Sequence, residues 1–290
     1  MPKPSDTRAD ELHKRGRDLL LSQTEALNAI IHQLHLLDPD TDKTAIRVPL
    51  LMLQAVGVSI HSVLALTQSR DMAIRDGFGI ARSAVETAVN AAFIAVEGEP
   101  VAEQAIRHMR QKRWRDLSRE ASIGGWRMTV SRDVGMTPGD LPGLSEALDE
   151  YTNKRGREVR DWTPATIEER INAVTERCKR AGICLGAAVF AIYRPSSELL
   201  HGTYYGVNYF WQGSRERPAR GRAAFDDLWL LEHFTTLLSA MFFGASGAII
   251  AVATTFDLPS HLDRQDTLAQ ELSVLIDDLN SLDGGFGEQK

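Results

Sequence analysis

The sequence predicts an all-α fold, a multi-helix bundle with one irregular central insertion. Three observations carry this. Apolar residues recur at three- and four-residue spacing along most of the chain. Clusters of Pro, Gly and Asp interrupt that pattern at helix-length intervals. No strict apolar–polar alternation runs long enough to propose a sheet, and no internal repeat is present.

Residues 10–37 place Leu12, Leu19, Leu20, Leu27, Ile30, Ile31 and Leu34 on one helical stripe, which "DPDTDK" breaks. Residues 44–69 are apolar, with Pro49 near the first turn, where proline is tolerated. A third helix spans 71–97 and stops at "EGEP". A fourth follows Pro100 and is basic, "EQAIRHMRQKRWRDLSRE". Residues 122–165 are rich in Gly and Pro and read as a long loop. It contains a strand-like fragment, "WRMTVS", and a short helix, "LSEALDEYTNKRG". Thr163 before Pro164 starts another helix, with Gly182 as its stop. "ICLGAAVFAIY" is a short buried helix, and the next opens with Pro195 at its first position. An apolar helix over 222–256 and a final amphipathic helix end the fold. Residues 1–9 and 283–290 are expected to be flexible ends of one helical domain, 10–282.

The net charge of −6 excludes a uniformly basic nucleic-acid coat but leaves room for local basic patches. The two cysteines, Cys178 and Cys184, complete no zinc pattern and are expected to be reduced thiols. The polar N-terminus has no apolar signal region, and a cytoplasmic location is expected. Residues 234–256 carry no charge and could span a bilayer by length. A central bundle helix is apolar all round in the same way, and that reading is preferred, with no membrane as a partner.

Chemistry points to two polar seams. Arg82, Glu86 and Asn90 stand four apart on an otherwise apolar helix, where buried charges need partners. Ser197, His201 and Tyr205 are also four apart, with Gly202 and Gly206 allowing a close backbone approach. Facing each other, the seams would form one cleft. There His201 is either a general acid/base or a core histidine bonded to Glu86. Arg82–Glu86 is either part of that site or a buried ion pair that fixes helix register.

The residues Arg82, Glu86, Tyr193, Ser197, His201 and Gly202 resemble the pattern of an uncharacterised bacterial helical family. It has an Arg-x-x-x-Glu helix and a later Tyr-x-x-x-Ser-x-x-x-His-Gly helix, matched here over about residues 50–255. The resemblance implies that the seams belong together and names no reaction. Arg194 and His201, with six residues between them, are similar to the Arg–His signature of HEPN domains, helical and usually dimeric, many of them metal-independent RNases of toxin and phage-defence systems. That similarity implies His201 as proton shuttle and Arg194, with Arg82, as phosphate binder.

The fourth helix carries Arg107, Arg110, Lys112, Arg113, Arg115 and Arg119 beside Trp114, and a later loop carries Arg215 and Arg217. Such patches either bind RNA or another anion or form a solvated face. Glu198-x-x-His201 is half of a carboxylate–histidine metal pair, and no second half exists, so no metal or cofactor is expected. Two functions stay open: a HEPN-like RNase, and a non-enzymatic binding or assembly module. A homo-oligomer, a homodimer first, is expected in either case.

Overall fold

The computed structural model describes residues 4–40, 42–132, 135–213 and 221–283. They form an all-α multi-helix bundle with one small two-stranded sheet. In chain order the helices are α1 (Pro4–Leu37), α2 (Thr44–Leu66), α3 (Ile74–Glu97), α4 (Glu99–Arg115), α5 (Leu144–Glu150) and α6 (Ile167–Arg177). Then come α7 (Lys179–Leu200), α8 (Tyr204–Gln212), α9 (Arg222–Leu228), α10 (Thr235–Thr255) and α11 (Pro259–Asp283). Strands β1 (Ser118–Ile123) and β2 (Trp126–Ser131) lie between α4 and α5, and a π-helical turn, Trp229–Phe234, joins α9 to α10. Helix α1 thus begins inside the stretch expected to be flexible. The chain divides into two compact units: Glu97–Thr166, and the remainder on either side of it. The first is wider than the insertion expected at 122–165.

In the larger unit α10 is the central helix, packed against α7, α1, α11 and α2. Its uncharged sequence follows from this position, because residues on all its sides, among them Leu237, Met241, Phe242, Ile249 and Val252, are buried. Helix α7 comes closest at Gly247, where an added Cβ would lie 2.6 Å from Leu185 Cγ and 3.0 Å from the Ala181 carbonyl oxygen. Several of the polar groups buried in this core are bonded to one another or to backbone. Gln23 Nε2 on α1 donates to Ser246 Oγ on α10 and to Gln265 Oε1 on α11, both at 3.0 Å, and Gln265 Nε2 returns a bond to Gln23 Oε1 at 3.3 Å. His13 Nε2 meets the Thr67 carbonyl at 2.8 Å.

Three expectations about α7 are corrected. The helix before it ends at Arg177, with Cys178 in an extended conformation (φ −146°), so Gly182 is no stop. Gly182 lies inside α7, where Thr175 Oγ1 occupies the space a Cβ would need. Pro195 also lies inside α7 and does not open a new helix. The helix ends in a Schellman motif: Gly202 takes φ +63°, its N–H donates to Leu199 O (3.0 Å), and Thr203 N–H donates to Glu198 O (3.2 Å). A β-carbon on Gly202 would meet nothing within 4 Å. Gly202 is therefore present for its backbone angle, whereas Gly206 does sit against backbone: a Cβ added there would lie 2.5 Å from Glu198 O.

In the smaller unit α4 packs with α5. The basic helix ends at Arg115, and Arg119 belongs to β1. "WRMTVS" is β2, paired antiparallel with β1 through Gly124 and Gly125, both at positive φ as a two-residue hairpin loop needs. Alternation gives this hairpin a mainly apolar face of Ala121, Ile123, Trp126, Met128 and Val130, with Arg119 at its end, and a polar face of Ser, Glu, Arg and Thr, and every residue of both strands is exposed.

Candidate functional site

The α3 seam forms, and its partners come from α6 and α7. Arg82 Nε bonds Glu86 Oε1 at 3.0 Å, and the Tyr193 hydroxyl on α7 donates to the same oxygen at 2.7 Å. The Arg82 guanidinium also lies 4.5 Å from the Tyr193 ring centroid, a cation–π contact. Asn90 Oδ1 accepts from Arg170 Nη1 on α6. Burial, then the Glu86 carboxylate it bonds, push the Tyr193 phenol up to about 12, so it holds its proton. Together these contacts clamp α3 to α6 and α7.

The pair is not buried as an isolated core ion pair would be. The Arg82 and Glu86 side chains are 22% and 40% exposed, since this face of α3 meets solvent along one edge. Removing the carboxylate by Glu86→Ala is therefore expected to cost only about 1 kcal/mol, read as a shift in the urea midpoint. A cost of 3 kcal/mol or more would mean that the pair is desolvated after all.

The second seam is not one helical face. His201 caps the C-terminus of α7, the chain then turns at Gly202, and Tyr205 lies in the first turn of α8, about half exposed. The Thr203 side chain starts that helix, accepting from Gly206 N–H at 3.1 Å and donating to Glu198 Oε2 at 2.7 Å. What does align is Arg194, Ser197 and His201, at three- and four-residue spacing along α7. Arg194 and His201 are exposed and Ser197 is half-buried. Among the described residues neither Arg194 nor His201 has a hydrogen-bond or ion-pair partner, so the expected bond from His201 to Glu86 is not made. Arg215 and Arg217 lie outside the described residues.

The outer face of α7 continues with Ile183 (60% exposed) and Phe190 (89%), with Leu200 and Tyr204 near its end. Among the described residues, four helical segments, Thr44–Leu66, Ile74–Glu97, Lys179–Leu200 and Arg222–Thr255, are long and apolar enough to cross a membrane by length and composition. In α7 only 28% of the apolar window is buried, against 83% in the segment containing α10.

Two of the cations of α4 are neutralised by acids distant in sequence, and a third is held by neutral groups. Arg107 makes a two-pronged pair with Glu150 (2.6 and 3.3 Å), Lys112 pairs with Glu158 (2.6 Å), and Arg115 bonds Gln111 and Thr152. Among the described residues Arg110 and Arg113 have no such partner. No group of three or more His, Cys, Asp or Glu among the described residues could hold a metal ion.

Sequence reasoning passed over His233. It lies fully buried in the π-helical turn, its ring 5.0 Å from those of Tyr209 and Phe210 and 6.2 Å from Phe78. Neither ring nitrogen reaches hydrogen-bonding geometry with a described partner, though the nearby Phe210 backbone partly opposes the effect of burial, which pushes the imidazole down to about 4. The available signal was one histidine, beside Glu232, inside a mostly apolar run, "WLLEHFTTLLSAMFF". Comparison with known proteins finds no matching family model, no similar curated protein and no similar solved structure.

Proposed function

We propose that the protein is a helical binding and assembly module that self-associates through the outer face of α7. One observation carries this: Phe190 is 89% exposed at the middle of an apolar helix of which only 28% of the apolar window is buried. Ile183 is also exposed two turns away on the same side, and large apolar side chains left open in this way suit an interaction surface. A second copy fits it. Around a twofold axis at Phe190, antiparallel α7 helices would stack the two phenyl rings, and Gly186 and Ala187 would let the backbones approach. Ile183 of each copy would then lie over the Ser197 region of the other. A stable pair needs about 800 Å² buried per copy.

A second reading has its own observation. Arg194 and His201 share that face, about two turns apart and unpartnered among the described residues. This matches the resemblance to HEPN domains: the guanidinium would hold a scissile phosphate and the imidazole would move the proton at the leaving oxygen.

The test is sedimentation of the wild-type protein and Phe190→Asp, with RNA incubated without metal on the same samples and on His201→Ala. A wild-type dimer that Phe190→Asp converts to monomer is the expected result. A wild-type monomer sinks the assembly reading, and recovery only with detergent would assign the face to lipid. RNA cleavage lost in folded His201→Ala would establish the second reading.

A further inference from the structure

The smaller unit contains a recess of about 500 Å³ between α4 and the segment that leads into α5. Its volume is that of a small-molecule site. Met109 and Trp114 of α4, with Leu117 in the turn after it, form one wall, and Leu141, Pro142 and Leu144 form the other. Arg110 and Arg113 also line it, and none of the described lining residues is acidic.

The two arginines differ from their neighbours on the same helix. Arg107, Lys112 and Arg115 are held by Glu150, Glu158, Gln111 and Thr152, whereas Arg110 and Arg113 have no hydrogen-bond or ion-pair partner among the described residues. Three residues apart on a helix, they are neighbours and can address one anionic group together. Gly143, in the left-handed region at φ +72°, makes room for the first: a Cβ there would lie 3.3 Å from Arg110 Nη1. The recess therefore combines two free guanidiniums, an indole and an aliphatic wall.

A nucleic-acid backbone would need a track of several free cations, and the acids tied to α4 remove it. Inorganic phosphate would leave the apolar wall unused. We propose that the recess binds a small organic anion, with a carboxylate, sulfonate or phosphate between Arg110 and Arg113 and a flat apolar body against Trp114.

The probes are 1-anilinonaphthalene-8-sulfonate and its uncharged analogue N-phenyl-1-naphthylamine, titrated by fluorescence into the full chain. The sulfonate is expected to bind at least about tenfold more tightly than the neutral compound. Arg110→Gln combined with Arg113→Gln should remove that preference while leaving the neutral probe unchanged. Both residues are exposed, so the fold should survive, and circular dichroism checks it. Trp114→Ala should weaken both probes. Equal affinity of the wild type for the two probes, no binding of the sulfonate, or a preference that persists in the double-arginine variant would each overturn the proposal. Phe190→Asp should leave the preference intact, so failure of self-association and failure of this site are read separately.

Discussion

Between pH 7 and pH 5 the protein is expected to lose roughly 4 kcal/mol of stability, because two histidines are buried as neutral rings. Burial is the first cause in both, and each imidazole is pushed down to about 4. Near His13, Arg70 and Arg17 push the same way, and the Thr67 carbonyl and Asp10 oppose them. In the unfolded chain both rings take up a proton near the ordinary value of about 6.5. The unfolded state therefore binds more protons throughout the window from about 6.5 to 4. Stability is full above it and falls as the pH is lowered through it, by roughly 2 kcal/mol per ring at pH 5. His108 and His261, also lowered by burial, act in the same direction. Asp140, Glu158 and Asp278 have lowered values too, but their contribution disappears only at more acid pH, as carboxylates protonate. Urea unfolding at the two pH values measures the loss. His233→Phe should remove about half of it, and a pH-independent midpoint in the wild type would contradict neutral burial.

Gly247→Val is expected to cost about 3 kcal/mol or more, at the upper end of overpacking. Its Cβ alone would meet Leu185 Cγ at 2.6 Å and the Ala181 carbonyl oxygen at 3.0 Å, and backbone cannot step aside as a side chain can. Gly57→Ala is the comparison. A Cβ at Gly57 in α2 meets nothing within 4 Å, so alanine should stabilise by up to about 1 kcal/mol through its higher helix propensity. Both are read from the urea midpoint. A Gly247→Val midpoint equal to the wild type's would mean that α7 and α10 do not cross where described.

What the sequence disclosed follows from how local each cause is. The central position of α10 was legible because burial on every side requires apolar residues on every side. The Arg82–Glu86 pair was legible because four residues along a helix is a fixed distance. Its partner Tyr193 lay in the pattern that resembled a helical family, but spacing alone could not direct its hydroxyl to Glu86. The α7 terminus was misread because Pro195 looks like a start, whereas the Gly202 cap two turns later ends the helix. The cations of α4 looked alike in sequence. Glu150 and Glu158, 43 and 46 residues from Arg107 and Lys112, separate the neutralised from the free, and only the fold brings them together. The hairpin escaped notice because its apolar face is divided between two strands by Gly124 and Gly125.

The π-helical turn at Trp229–Phe234 has a consequence for how this helix can change in length. A π turn carries one residue more than the α turn it replaces. Everything before it is therefore rotated by about 100° relative to an uninterrupted helix. That offset aims the Trp229 indole N–H at the Asp71 carbonyl, 2.8 Å away, and stacks its ring on Phe234. The surplus residue has the form of a one-codon insertion kept in place by the contact it created. Deleting a single residue here would restore a regular helix and turn Trp229 away from the Asp71 carbonyl, although no side chain in the contact had been altered.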